Sequence, residues 1–97
     1  METEIYNLGL NSRMPFINTK SYLEINFGEG KYSGEREVES GINVPVHKYS
    51  SNGLKVNLVG NGLVDIRYFE IKGERNDITK FLRELRKNKI KFGLMNN

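Results

Sequence analysis

The chain contains no cysteine, which excludes disulfides and thiolate metal sites. It holds one histidine, His47, so a metal centre built from several imidazoles is excluded, and any Ser-His-carboxylate triad would depend on that residue. No apolar run approaches the roughly 20 residues of a membrane span. The opening METEIYNLGL is acidic and too weakly apolar for a secretory signal, so the expectation is a soluble, cytoplasmic protein. Alanine, glutamine and tryptophan are also missing. Without alanine, the best helix former, and with ten glycines, the composition leans towards sheet.

What is present is skewed in its own way. Asparagine occurs 12 times and lysine and isoleucine are plentiful, residues with A/T-rich codons, which points to a low-GC bacterium, a phage or another mobile element. Two Asn-Gly pairs argue against a hyperthermophile. At 97 residues the chain suits one α+β domain that buries about two-thirds of its unfolded surface, with residues 1–20 expected as a loosely packed arm. Net charge is only +3, but residues 76–91 carry six basic side chains against Asp77 and Glu84. That segment is +4 and the remainder −1, so any affinity for polyanions belongs at the C-terminal end.

Along the chain, Ile5 to Leu10 reads as a first strand, closed by the loop around Pro15, with Phe16 and Ile17 as a small plug under the sheet. Ser21 to Phe27 alternates, with Leu23, Ile25 and Phe27 on one face, as a half-buried strand requires. Tyr32 to Val38 is a strand whose glutamates Glu35, Glu37 and Glu39 share a solvated side. In Ile42 to Tyr49 the apolar face is Ile42, Val44 and Val46, with Pro45, His47 and Tyr49 expected to point outward and Pro45 marking an edge or bulge. Ser50 to Gly53 turns the chain, Leu54, Val56 and Leu58 rebuild an apolar face, and Gly60-Asn61-Gly62 turns it again. Leu63 to Ile71 reads as the longest and central strand.

A helix follows over about 77–88. Asn76-Asp77 supplies a cap signal, and Ile78, Phe81, Leu82 and Leu85 recur at i, i+3, i+4 and i+7, a stripe for packing on the sheet. Ile90, Phe92 and Leu94 alternate as a final strand. The segment 63–95 thus resembles the β-α-β unit of ferredoxin-like and similar α+β sandwiches over one third of the chain. The fold expected is an antiparallel sheet of four to six strands backed by one C-terminal amphipathic helix and a short final strand, one sheet face being left for a loop, water or a partner.

No signature of catalysis, cofactor or metal binding emerges. GEGKYSG followed by VPVHK superficially resembles the glycine loop and strand lysine of a protein kinase, but its spacing is G-x-G-x-x-x-G and no H-R-D or D-F-G follows. It reads as a glycine-rich hairpin. Lys80, Arg83 and Lys87 lie opposite the helix's apolar stripe, Lys89 and Lys91 continue the charge, and a Lys80–Glu84 pair is expected. Tyr22, Tyr32, Tyr49 and Tyr68 are candidates for an exposed aromatic platform on neighbouring strands, with Tyr22, Tyr32 and Tyr68 as the expected partner contacts. Together these predict a non-catalytic protein that binds a macromolecule. Another protein comes first, engaged by a regulatory or inhibitory accessory factor, and single-stranded nucleic acid or RNA second; a homo-oligomer is compatible with either.

Overall fold

The computed structural model describes residues 1–9, 12–61 and 64–95. Its elements run β1 (Glu2–Asn7), α1 (Met14–Phe27), β2 (Lys31–Glu39), β3 (Ile42–Ser51), β4 (Leu54–Val59), β5 (Tyr68–Gly73), α2 (Arg75–Lys87) and β6 (Gly93–Leu94). Six strands form one antiparallel sheet in the order β2-β3-β4-β5-β1-β6, and both helices lie on the same face of it. The α+β class, the C-terminal helix and the short last strand are as expected. Because β5 and β6 both pair with β1, the β5-α2-β6 unit is split by the N-terminal strand.

The second helix is the main correction. Residues 21–27 are not a strand but the end of α1, whose buried side chains are Phe16, Thr19 and Leu23, with Tyr22 and Phe27 packed against the same core. In a helix Leu23 and Phe27 stack one turn apart, while Ile25 falls on the opposite side and is 82 % exposed. Pro15 does not interrupt a strand; it sits in the first helical turn, where its missing N–H costs nothing. Thr19 is fully buried and satisfies its hydroxyl by donating to the Pro15 carbonyl, 2.7 Å away. In place of a loose arm over 1–20, Glu2–Asn7 is an interior strand and Leu8 and Phe16 are core residues.

Hairpin chemistry fixes the middle of the sheet. Asn52 and Gly53 both take positive φ (49° and 84°), the signature of a type I′ turn, and set the register Ser51↔Leu54 to Val46↔Val59. A bulge lies opposite Pro45: Tyr32 pairs with His47 and Glu35 with Pro45, so the extra residue of β2 sits where proline has no N–H to give. β5 begins only at Tyr68, not at position 63. Of the expected Gly60-Asn61-Gly62 turn and 63–71 strand, Gly62 and Leu63 lie outside the described residues, and Val64 to Arg67 precede the strand.

Two apolar clusters result. The larger, between helices and sheet, contains Tyr6, Leu8, Phe16, Leu23, Tyr49, Leu54, Val56, Leu58, Phe69, Ile71, Ile78, Phe81, Leu82, Leu85 and Ile90. Phe69 is at its centre, with Tyr6 stacked on one side at 5.3 Å and Phe81 edge-on at 5.9 Å. The smaller cluster, Val44, Val46 and Val59 with Val38, Ile42, Val64 and Tyr68, occupies one half of the other face. The phase expected for β3 therefore holds, but its sense is reversed: Pro45, His47 and Tyr49 face the helices, and Tyr49 is buried. Gly30 permits this, because a Cβ there would meet the Tyr49 ring at 2.5 Å.

At α2, Glu74 rather than Asn76 is the N-cap, its carbonyl accepting from Ile78 N–H at 3.0 Å. Arg75 ties the first turn to β1 through Glu2 (2.8 Å) and Glu4 (3.0 Å). The far end closes on Lys89, whose φ is +60°: Lys89 N–H donates to Arg86 O and Ile90 N–H to Leu85 O, which turns Ile90 into the core. Ile90 therefore belongs to the helix's closing turn and the last strand keeps only Gly93 and Leu94.

Candidate functional site

Two surfaces merit attention, one on each side of the sheet. The first is the outer side of the helical layer. Around α1, Met14, Asn18, Ser21 and Ile25 follow one line at i, i+4, i+7 and i+11, with Ile17 beside it, and all five are exposed. Lys20 and Glu24 are the helix's two charged residues. A recess of about 540 Å³ runs between this line and α2, bordered by Asn18, Ser21, Tyr22, Ile25, Glu84 and Asn88. On α2, Lys80, Arg83 and Lys87 project outward as expected, and Lys89 and Lys91 are exposed beyond its end. Glu84 pairs with Lys87 (3.5 Å) rather than with Lys80, and Arg86 turns aside to cover the Phe92 ring at 5.0 Å.

The expected tyrosine platform is dispersed by the fold. Tyr22 is half-buried in the seam between the helices, edge-on to Phe81 at 5.8 Å, and burial followed by the charge of Glu84 raises its pKa. Tyr32 is exposed on the edge strand β2, on the helix side of the sheet, with its ring 5.7 Å from His47. Tyr68 is on the opposite face, where its hydroxyl accepts a hydrogen bond from Arg36 (3.0 Å). That bond, with the Glu70 carboxylate, raises the Arg36 pKa. These three residues do not converge on one ligand.

The second surface was not legible in advance. On the sheet face away from the helices, the ladder sets Lys31 directly opposite Lys48 and Lys55 directly opposite Lys72, with Asn57 between Lys48 and Glu70. A groove of about 420 Å³ lies among these side chains, Thr3 and Ser50. Glu70, the carboxylate in the lining, is held by Arg36 at 3.0 Å and by the Asn57 amide at 3.3 Å. Four lysines spread over 42 residues carry no motif; only the strand order collects them. Their one trace in the sequence is Lys55, at an outward position of its alternating segment; Lys48 shares the phase of Val44 and Val46.

Among the described residues no three His, Asp or Glu side chains gather into a metal-sized cluster, and no helix is long and apolar enough to cross a membrane. No protein-family model matches the chain, and no curated protein or solved structure matches it.

Proposed function

We propose that this chain is a non-catalytic binding module whose partner is a protein, docked on the outer side of the helical layer, and that it acts as a regulatory or inhibitory accessory factor. One observation carries the reading: α1 is apolar on both sides. A helix packed on a sheet normally turns charge to water. Here the inner side holds Phe16, Leu23 and Phe27, while the outer side offers Met14 and Ile25 in line with Asn18 and Ser21, and Ile17 beside Lys20 and Glu24. Grouped exposed apolar side chains mark contact surfaces more than single ones do. Lys80, Arg83 and Lys87 on the adjacent helix fit a partner whose apolar contact is bordered by acidic residues. A second reading, binding of single-stranded nucleic acid, is favoured by the +4 charge of residues 76–91.

Affinity capture from host extract, with and without nuclease, tests this with three baits: the native chain, the pair Ile17→Asp with Ile25→Asp, and the pair Arg83→Glu with Lys87→Glu. The expected outcome is a stoichiometric protein that survives nuclease and binds the native chain at least about tenfold more tightly than the isoleucine variant. Smaller, salt-sensitive weakening is expected for the charge variant. A protein held equally by all three baits, or nucleic acid recovered in its place, overturns the reading.

A further inference from the structure

We infer that the lysine groove on the uncovered sheet face is a binding site for a small oligophosphate, a ligand carrying two or more linked phosphoryl groups. This goes beyond the protein-binding reading and uses the other side of the molecule.

The register supplies the first argument. Lys31↔Lys48 and Lys55↔Lys72 are two like-charged pairs standing directly opposite on neighbouring strands, an arrangement that costs stability unless an anion screens it. Lysine on an exposed edge strand can be explained as protection against strand pairing. That explanation covers Lys31 on β2, but Lys48, Lys55 and Lys72 are on the interior strands β3, β4 and β5. Among the described residues five ion pairs form, and none of them engages any of the four lysines. The one carboxylate in the lining is already committed to Arg36 and Asn57. The groove therefore presents four lysine charges, and the Glu70 charge in its lining is offset by Arg36.

Shape and chemistry narrow the ligand. About 420 Å³ lies within the usual range for small-molecule sites and is bordered by residues of five strands, β1 to β5. Lysine ammoniums act on phosphates as point charges, while the Thr3 and Ser50 hydroxyls and the Asn57 amide can donate to phosphoryl oxygens. A single nucleic-acid strand would want exposed rings for stacking. The aromatic residue in the lining, Tyr49, has its ring buried in the main core, and Tyr32 and Tyr68 do not line the groove. What remains is a site for concentrated negative charge without a base-stacking surface.

Calorimetric titration with inorganic tripolyphosphate, at low and at physiological salt, tests the assignment. We expect one site per chain, weakened at least about tenfold by the pair Lys48→Gln with Lys55→Gln and unchanged by Arg83→Gln with Lys87→Gln. The lysine variant should fold at least as stably as the native chain, since it removes opposed charges. Should it fail to fold, backbone amide shifts of the native protein on adding tripolyphosphate replace it, and must centre on residues 48–57. ATP should bind comparably, through its phosphates alone. A mixed-sequence oligonucleotide or an acidic peptide that binds this groove more tightly than tripolyphosphate overturns the assignment, as does absent binding or binding indifferent to the lysine substitutions.

Discussion

The two helices have nearly the same length, 14 and 13 residues, and pack on the same sheet face, yet they differ in how they are held and in what they show to solvent. α2 is contrasted: Ile78, Phe81, Leu82 and Leu85 face inward, while Lys80, Arg83 and Lys87 face water. α1 has apolar residues on both sides. α2 is tied at its start by Arg75 to two carboxylates of β1 and closed at its end by a left-handed turn. At the start of α1, the Ser12 hydroxyl accepts from Met14 N–H (3.1 Å), and beyond that its hold comes mainly from Phe16, Leu23, Tyr22 and Phe27. A helix announces itself in a sequence through the difference between its two sides. One that is apolar on both loses the signal, and its outer side is where a partner gains most by binding.

The largest expected effects test the inside of that comparison. Leu23→Ala in α1 and Phe81→Ala in α2 should each lower stability by about 2–5 kcal/mol in urea unfolding, because both side chains are buried in one core. Ile25→Ala, on the outer side of α1, should change it by less than about 0.5 kcal/mol. Equal losses at Leu23 and Ile25 would break the assignment of α1's faces and restore the strand reading of residues 21–27.

That strand reading shows where legibility ended. Leu23, Ile25 and Phe27 satisfy a period of two, and the window that begins at Ser21 contains nothing to contradict it. Extending it back to Phe16 and Thr19 gives i, i+3, i+7 and i+11 through Leu23 and Phe27, but Thr19 is polar and Pro15 looks like a break. The missing facts were tertiary: a threonine can be fully buried once its hydroxyl bonds the carbonyl four residues back. α2, the β2-β3-β4 meander and the Asn52-Gly53 turn were legible because local chemistry decides them. The reversed sense of β3 and the lysine groove were not, since the face of a strand that meets the helices depends on where distant elements pack.

The anchoring of α2 gives a pH test that α1 should not share. Hydrogen bonds from Arg75, then from the Tyr6 hydroxyl, hold the Glu4 carboxyl below the ordinary carboxylate value. A depressed folded pKa contributes stability that is complete above the unfolded value of about 4.3 and lost as pH falls through the folded value. Amide exchange in the first turn of α2 should therefore accelerate on acidification below about pH 4 more than in α1, and Arg75→Gln should reduce that difference. On the alkaline side, burial and then the bond to Glu4 push the Tyr6 hydroxyl up to about 12. Its contribution is complete below about pH 10 and lost as pH rises beyond that towards the folded value. Equal acid sensitivity of the two helix starts would show that the Arg75 pairs add nothing to the anchoring.

The smallest effect concerns the other end of α2. Lys89 takes a φ of +60°, where an L-residue with a β-carbon is crowded and glycine is not. Its backbone position is nonetheless well determined, since Asn88 N–H donates to Glu84 O and Leu85 O, Lys89 N–H to Arg86 O and Ile90 N–H to Leu85 O. The Asn88 side chain adds a bond of 2.8 Å to Glu84 O. Lys89→Gly should relieve the crowding and keep every one of these bonds, at the cost of greater freedom in the unfolded chain. The expected net gain is about 0.5–1 kcal/mol in urea unfolding, with the slope unchanged. Lys89→Ala separates conformation from charge: it removes the same cation but retains the β-carbon, and should leave stability close to native. Equal gains from both substitutions would assign the effect to charge repulsion with Arg86, Lys87 and Lys91 rather than to the backbone.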